Sequence, residues 1–147
     1  MIKKNVLIVD DNKGFLSELE EMLALSGYSS ITVENSSETR KAVEAVDIDV
    51  ILLDLQMPGK NGFELAYELH NLPRFRDVPI IAMTGFFGDN YRFLFKTCGI
   101  TDCLRKPFAP LDVISSIENA LSEKLVGAAN NGDRLASLNS MEYGGDF

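Results

Sequence analysis

Asp49-Val50-Ile51-Leu52-Leu53-Asp54-Leu55-Gln56-Met57-Pro58-Gly59 is the stretch on which the fold turns. Four consecutive apolar residues, two of them β-branched, lead to an acid and then to Met-Pro-Gly, which reads as a short strand buried on both faces and closed by a tight loop. Asp54 stands where that strand stops. In an open parallel sheet covered by helices on both faces, ligands gather outside the carboxyl ends of the strands. A second strand end carries acids too, because Val6-Leu7-Ile8-Val9 runs directly into Asp10-Asp11. If the two strands are neighbours, three carboxylates converge, and like charges about 4 Å apart repel by roughly 4 kcal/mol at an effective dielectric near 20. A divalent cation relieves that repulsion. Oxygen ligands without His or Cys favour Mg²⁺ or Ca²⁺ over zinc, and a small site completed by water suits Mg²⁺.

Between and beyond these strands the hydrophobic period changes to that of helices. Phe15, Leu19, Met22 and Leu23 fall on one helical face, with Glu18, Glu20 and Glu21 between them, and Gly27 closes the helix. Tyr28 to Val33 reads as a strand, and Asn35 with Glu38 forms a capping-box start to a helix that turns Ala42, Val43 and Val46 inward. After the Asp49–Leu53 strand, the spacing of Phe63, Ala66, Tyr67 and Leu69 predicts a third helix that ends before Pro73. Val78 to Met83 is a fourth buried strand running into Thr84-Gly85. A fourth helix from Gly88 carries Tyr91, Leu94, Phe95 and Cys98 on one stripe, with Phe93 pointing away. Ile100 to Leu104 is a short fifth strand ending in Arg105-Lys106-Pro107, and Leu111 to Lys124 is a last helix with Ile114, Ile117 and Leu121 inward. Five strands alternating with five helices predict a doubly wound α/β fold with right-handed crossovers.

With 147 residues, 46% of them hydrophobic and 24% charged, the chain is expected to form one domain with its own core. A net charge of -8, from 22 acids against 14 bases, argues against a nucleic-acid surface, and no direct nucleic-acid contact is expected. Met1-Ile2-Lys3-Lys4 is positive, but the apolar run behind it is broken by the aspartates, so it is a strand rather than a signal peptide. No run approaches the roughly 20 apolar residues of a membrane span, so a cytoplasmic protein with no membrane partner is expected. Cys98 and Cys103 form no CxxC pair and read as reduced, mostly buried thiols. His70, among polar neighbours at the end of the third helix, reads as a solvated surface residue. From about Val126 periodicity is lost, and residues 126–147 are expected to be a flexible tail with at most a marginal helix over Arg134 to Leu138.

Collected together, the polar strand ends are Asp10, Asp11, Asp54, Thr84 and Lys106. With them the chain strongly resembles the receiver, or response-regulator, family of two-component phosphorelays. The likeness rests on Leu-Ile-Val-Asp-Asp at 7–11, Asp-Val-Ile-Leu-Leu-Asp-Leu-Gln-Met-Pro at 49–58, Met-Thr-Gly at 83–85 and Lys-Pro-Phe at 106–108, and it covers about residues 3 to 124. It implies a stand-alone receiver over residues 1–125 with a flavodoxin-like five-stranded parallel sheet in the order 2-1-3-4-5. It further implies that Asp54 takes a phosphoryl group from a phosphohistidine on a sensor histidine kinase or a histidine phosphotransfer protein. Mg²⁺ would be held by Asp10, Asp11, Asp54 and the Gln56 backbone carbonyl. Lys106 would supply a second positive charge, Thr84 a hydroxyl donor, and the Lys106-Pro107 peptide a cis bond. Such a domain is a phosphoacceptor rather than an enzyme in the ordinary sense, although it assists its own phosphorylation and dephosphorylation. It would signal to a downstream effector protein through a changed face of helix four, strand five and helix five.

Two departures from the family pattern stand out. Cys103 occupies the position three before the lysine, where the family usually has Tyr or Phe, so the customary aromatic switch is in question. Phe86, two residues after Thr84, is expected to shield the phosphoryl group from water. The ending Glu142-Tyr143-Gly144-Gly145-Asp146-Phe147 resembles the signature of diguanylate cyclases, but without the acid that should follow Asp146, and reads as coincidence. Three rivals are weighed against the receiver. A Mg²⁺-dependent phosphatase of the haloacid dehalogenase type needs a second Asp where Gln56 stands. A flavin or nucleotide binder needs glycines where Asp10-Asp11-Asn12 stands. A receiver-like module that signals without phosphorylation leaves the complete acidic set unexplained.

Overall fold

Runs of apolar, often β-branched residues build the centre of the molecule, and asparagines cap three of the helices that follow them. The structure, a computed structural model, describes residues 2–59, 61–85 and 92–127. In chain order the elements are β1 (Asn5–Val9), α1 (Lys13–Leu25), β2 (Ser29–Val33), α2 (Ser36–Ala45), β3 (Val50–Asp54), α3 (Gly62–Asn71), a 3-10 turn at Pro73–Phe75, β4 (Ile80–Thr84), α4 (Arg92–Thr97), β5 (Ile100–Arg105) and α5 (Pro110–Gly127). All strand pairings are parallel and the sheet order is β2-β1-β3-β4-β5, as expected. β3 is therefore central, and every residue of β3 and β4 is buried.

The alternation of side chains along each strand divides the core between the two faces of the sheet. Leu7, Val9, Ile51, Leu53, Ile80 and Ala82 face the α2, α3 and α4 side with Val43, Leu65 and Leu69. Val6, Ile8, Val50, Leu52, Ile81 and Met83 face α1 and α5 with Leu16, Leu19, Leu23, Val113 and Ile117. Helices start beside the strand ends because asparagines cap them. Asn12, Asn35 and Asn61 accept hydrogen bonds from the backbone N–H groups of Phe15, Glu38 and Phe63 at 3.0, 2.9 and 2.9 Å. Each cap is worth about 1 kcal/mol. Gly62, the first residue of α3, lies so close to β3 that a β-carbon there would stand 2.5 Å from Leu55 Cα and 2.9 Å from the Asp54 carbonyl oxygen.

Several sequence expectations need correction. Tyr67 is half exposed, and Leu65 takes the inward place on α3. Helix α5 runs on past Lys124 to Gly127. His70 is not a fully solvated residue. Its ring fills the space a β-carbon would occupy at Gly99, whose φ of +74° sets the chain close against α3. His70 Nδ1 is buried there with no hydrogen-bond partner. Phe93 is 75% exposed, pointing away from the core as expected. The expectations on Phe86, Gly88, Tyr91 and residues 128–147 lie outside the described residues.

Candidate functional site

Strand order brings the acids together. β1 and β3 are adjacent and in register from Val6–Val50 to Val9–Leu53, so Asp10 follows one strand beside Asp54 at the end of the other. Asp10 and Asp54 are 0% and 5% exposed, whereas Asp11 is exposed. One carboxylate oxygen from each of the three lies within 4.8 Å of the others. This is a donor set of hard oxygens alone, suited to a small divalent cation.

Each buried carboxylate is oriented by a backbone amide two residues ahead. Asn12 N–H donates to Asp10 Oδ1 at 2.9 Å, and Gln56 N–H donates to Asp54 Oδ1 at 2.9 Å. The remaining oxygens turn toward Lys106, whose Nζ lies 2.6 Å from Asp10 Oδ2 and 3.5 Å from Asp54 Oδ2. Lys106 comes from the segment just after β5. Its backbone N–H donates to the Thr84 carbonyl at 2.7 Å, and the Lys106-Pro107 peptide is cis. Thr84, 2% exposed, ends β4 one position beyond Met83, the register partner of Asp54. All five residues singled out at strand ends thus gather at the carboxyl edge around β3.

Three carboxylates against one ammonium leave two formal negative charges in the cluster. Burial raises the Asp54 pKa above the ordinary carboxylate value. The Gln56 N–H and the Lys106 ammonium pull it down, and Asp10 and Asp11 push it up. The site is therefore short of positive charge, which a divalent cation would supply.

One site residue escaped the sequence reading. Its spacing puts Phe15 on the core face of α1, yet its ring also lies under the Lys106 ammonium, with Nζ 4.3 Å from the ring centroid. Phe108 meets the same ring edge-on, at 5.7 Å and 68°. The available signal was position: Phe15 falls in the first turn of a helix that starts immediately after Asp10-Asp11.

Cys103 is half-buried and packs toward the α3 and α4 side. It reaches that side through a bulge at the start of β5: Ile80 pairs with Ile100, but Ile81 pairs with Asp102, leaving Thr101 as the extra residue. Asp102 then turns to α5, where Ser116 Oγ donates to it in a short bond, and Asp102 also accepts from the Cys103 N–H at 2.8 Å. Both cysteines are free thiols. The aromatic surface beside Thr84 comes instead from Phe63 and Phe95. These rings stack at 5.8 Å and 24°, and with Leu55, Met57, Leu94 and Thr84 they line a cavity of about 420 Å³.

Comparison with known proteins agrees with this geometry. A family model described as "Response regulator receiver domain" matches residues 6–118. The phosphate regulon transcriptional regulatory protein PhoB of Pseudomonas aeruginosa is 30% identical over 121 residues, which cover 82% of this chain and 53% of that protein. The chain thus spans about half the length of that curated relative. A CheY-like response regulator receiver domain protein from Methanospirillum hungatei superimposes with a TM-score of 0.78 at 25% identity, covering 84% of this chain and 97% of the other. The receiver domain of the sensor histidine kinase PA1611 from Pseudomonas aeruginosa, solved with a magnesium ion coordinated in its active-site cleft, gives a TM-score of 0.74 at 26% identity over 82% and 99% of the two chains. Receiver domains are signalling modules that work with histidine kinases and effectors rather than ordinary enzymes. By its fold, by the acids and lysine gathered at its strand ends and by these matches, the chain belongs to the response regulator receiver domain family, the phosphoacceptor signalling modules of two-component systems.

Proposed function

We propose that Asp54 is the phosphoacceptor, receiving its phosphoryl group from a phosphohistidine on a sensor histidine kinase or a histidine phosphotransfer protein. The observation that carries this is the convergence on Asp54: its Oδ2 lies 3.5 Å from Lys106 Nζ, and ligand oxygens of Asp10 and Asp11 stand within 4.8 Å. The Asp54 carboxylate attacks the phosphorus, the phosphorus–nitrogen bond of the donor breaks, and the imidazole leaves as an acyl phosphate forms.

Phosphoryl transfer needs positioning and neutralisation of charge spreading over the phosphoryl oxygens. Asp10, Asp11, Asp54 and the Gln56 backbone carbonyl would hold Mg²⁺, which supplies that neutralisation and orients the donor. Lys106 supplies a second positive charge from the β5 side, and the Thr84 hydroxyl donates to a phosphoryl oxygen. The same groups let the domain assist its own phosphorylation and dephosphorylation. The response passes from Thr84 to the face of α4, β5 and α5, which a downstream effector protein reads. On this reading residues 1–125 form the receiver unit, acting in the cytoplasm without direct contact with nucleic acid or membrane. Among the described residues no helix is long and apolar enough to cross a membrane.

The test is incubation with phosphoramidate or acetyl phosphate, with and without Mg²⁺, followed by intact mass. A gain of one phosphoryl group that needs Mg²⁺ and disappears in Asp54→Ala is expected. A gain that survives Asp54→Ala overturns the assignment.

A further inference from the structure

Among the described residues the ammonium of Lys106 has three close neighbours, and they are of two kinds. Asp10 Oδ2 at 2.6 Å and Asp54 Oδ2 at 3.5 Å are carboxylate oxygens of the same acids that form the candidate cation site. The third neighbour is the face of Phe15 at 4.3 Å. A cation that takes up those carboxylates withdraws charge from the two partners that hold Lys106, and it does so in the state in which the ammonium must face a phosphoryl group. The aromatic face is not a ligand for a hard cation and is not withdrawn.

Phe15 is also held in place from two directions. Its backbone N–H donates to the Asn12 cap at 3.0 Å, which fixes the first turn of α1. Phe108, two residues beyond Lys106, packs edge-on against the ring at 5.7 Å. Thus the segment that delivers the lysine also braces the ring beneath it. A leucine at 15 would fill much of the same space but would present no negative face to the ammonium.

We propose that Phe15 is a positioning residue for phosphoryl transfer: its ring face keeps the Lys106 ammonium in the cleft once the cation has taken the carboxylates. This rests on the reading of Asp54 as phosphoacceptor. Removing the ring face slows phosphorylation by on the order of three- to thirty-fold at saturating Mg²⁺, the range of a partly desolvated cation–π contact.

The test replaces Phe15, in the full chain, with leucine and with a series of progressively fluorinated phenylalanines, which keep the ring's shape while draining its negative face. Phosphoramidate labelling is followed by intact mass at saturating Mg²⁺, and the Lys106 ε-methylene proton shifts are read by NMR in the Mg²⁺-loaded protein. The logarithm of the labelling rate is expected to fall steadily with fluorination, and Phe15→Leu is expected to be slow. The upfield ring-current shift of the Lys106 protons is expected to persist with Mg²⁺ and to vanish in Phe15→Leu. A purely packing role would leave the fluorinated series flat, and that result overturns the proposal, as does a ring-current shift lost on adding Mg²⁺. A wild-type chain that takes no phosphoryl group overturns the reading of Asp54 and this proposal with it, whereas labelling indifferent to fluorination overturns this proposal alone.

Discussion

Lys106→Met keeps most of the side-chain length and removes its charge, leaving two buried carboxylates facing each other. At an effective dielectric near 20, the attraction of Lys106 Nζ to Asp10 at 2.6 Å is about 6 kcal/mol and to Asp54 at 3.5 Å about 5 kcal/mol. Those gross values are offset by desolvation of all three groups, and removing one partner of a buried pair costs about 3–5 kcal/mol. The Lys106 side chain is 27% exposed, so water screens part of the loss and about 3 kcal/mol is expected. For a domain of this size that corresponds to a fall in Tm of roughly 10 °C in the absence of divalent ions. The substitution also removes the ammonium that competes for the cation's carboxylates, so Mg²⁺ should recover more stability in the variant than in the wild type. Each tenfold gain in affinity adds about 1.4 kcal/mol when the ion is in excess. Thermal unfolding at pH 7 and low salt, with MgCl₂ titrated against an ionic-strength control, measures both effects. A Tm loss under about 2 °C, or equal Mg²⁺ increments in the two chains, would refute the electrostatic account of the cleft.

Three further outcomes are expected. Asp54→Asn should be more stable than the wild type at pH 7, because burial raises the folded-state pKa of Asp54 and makes its ionised form costly. A raised carboxylate pKa stabilises the fold only at low pH, so the variant's advantage in Tm should shrink as pH falls through that value toward the ordinary one near about 3.9; an advantage that grows on acidification contradicts the sign. Gly99→Ala should cost about 2–4 kcal/mol in urea unfolding, from the left-handed φ of +74° and from overlap with the His70 ring, and a His70→Ala background should recover the overlap part. Burial, and then the charge of Asp102, push the Cys103 thiol up to about 11, so iodoacetamide at pH 8 should label it roughly a hundredfold more slowly than an unstructured cysteine. Labelling within about fivefold of the free rate would show the thiol to be exposed.

Strands buried on both faces were the most legible part of the chain, because Val6–Val9, Val50–Leu53 and Ile80–Met83 are apolar without alternation, and only a strand covered on both sides tolerates that. Their polar last residues then marked the cleft, and Asn35 announced α2 through its cap. Facing was harder to read on the helices. A Tyr at 67 and a Leu at 65 both fit an inward stripe when only spacing is known, and it is the close seating of Gly62 on β3 that turns Leu65 in. Cys103 depends on a bulge that adds one residue between two strands, which no local pattern announces. His70 reads as solvated because its neighbours in sequence are polar, whereas its neighbour in space is Gly99, just before β5. Phe15 was legible as apolar and helical, but its second surface against Lys106 belongs to a contact between distant parts of the chain.

The most direct test of the central claim locates the phosphoryl group rather than merely detecting it. After phosphoramidate labelling with Mg²⁺, borohydride reduction converts a phosphorylated aspartate to homoserine, and tandem mass spectrometry of the tryptic peptide spanning residues 42–60 identifies which acid was modified. Homoserine at position 54, with Asp47 and Asp49 in the same peptide unchanged, is the expected result. Homoserine at Asp10 or Asp11 instead, or an unmodified peptide from a protein whose intact mass had risen, would contradict it.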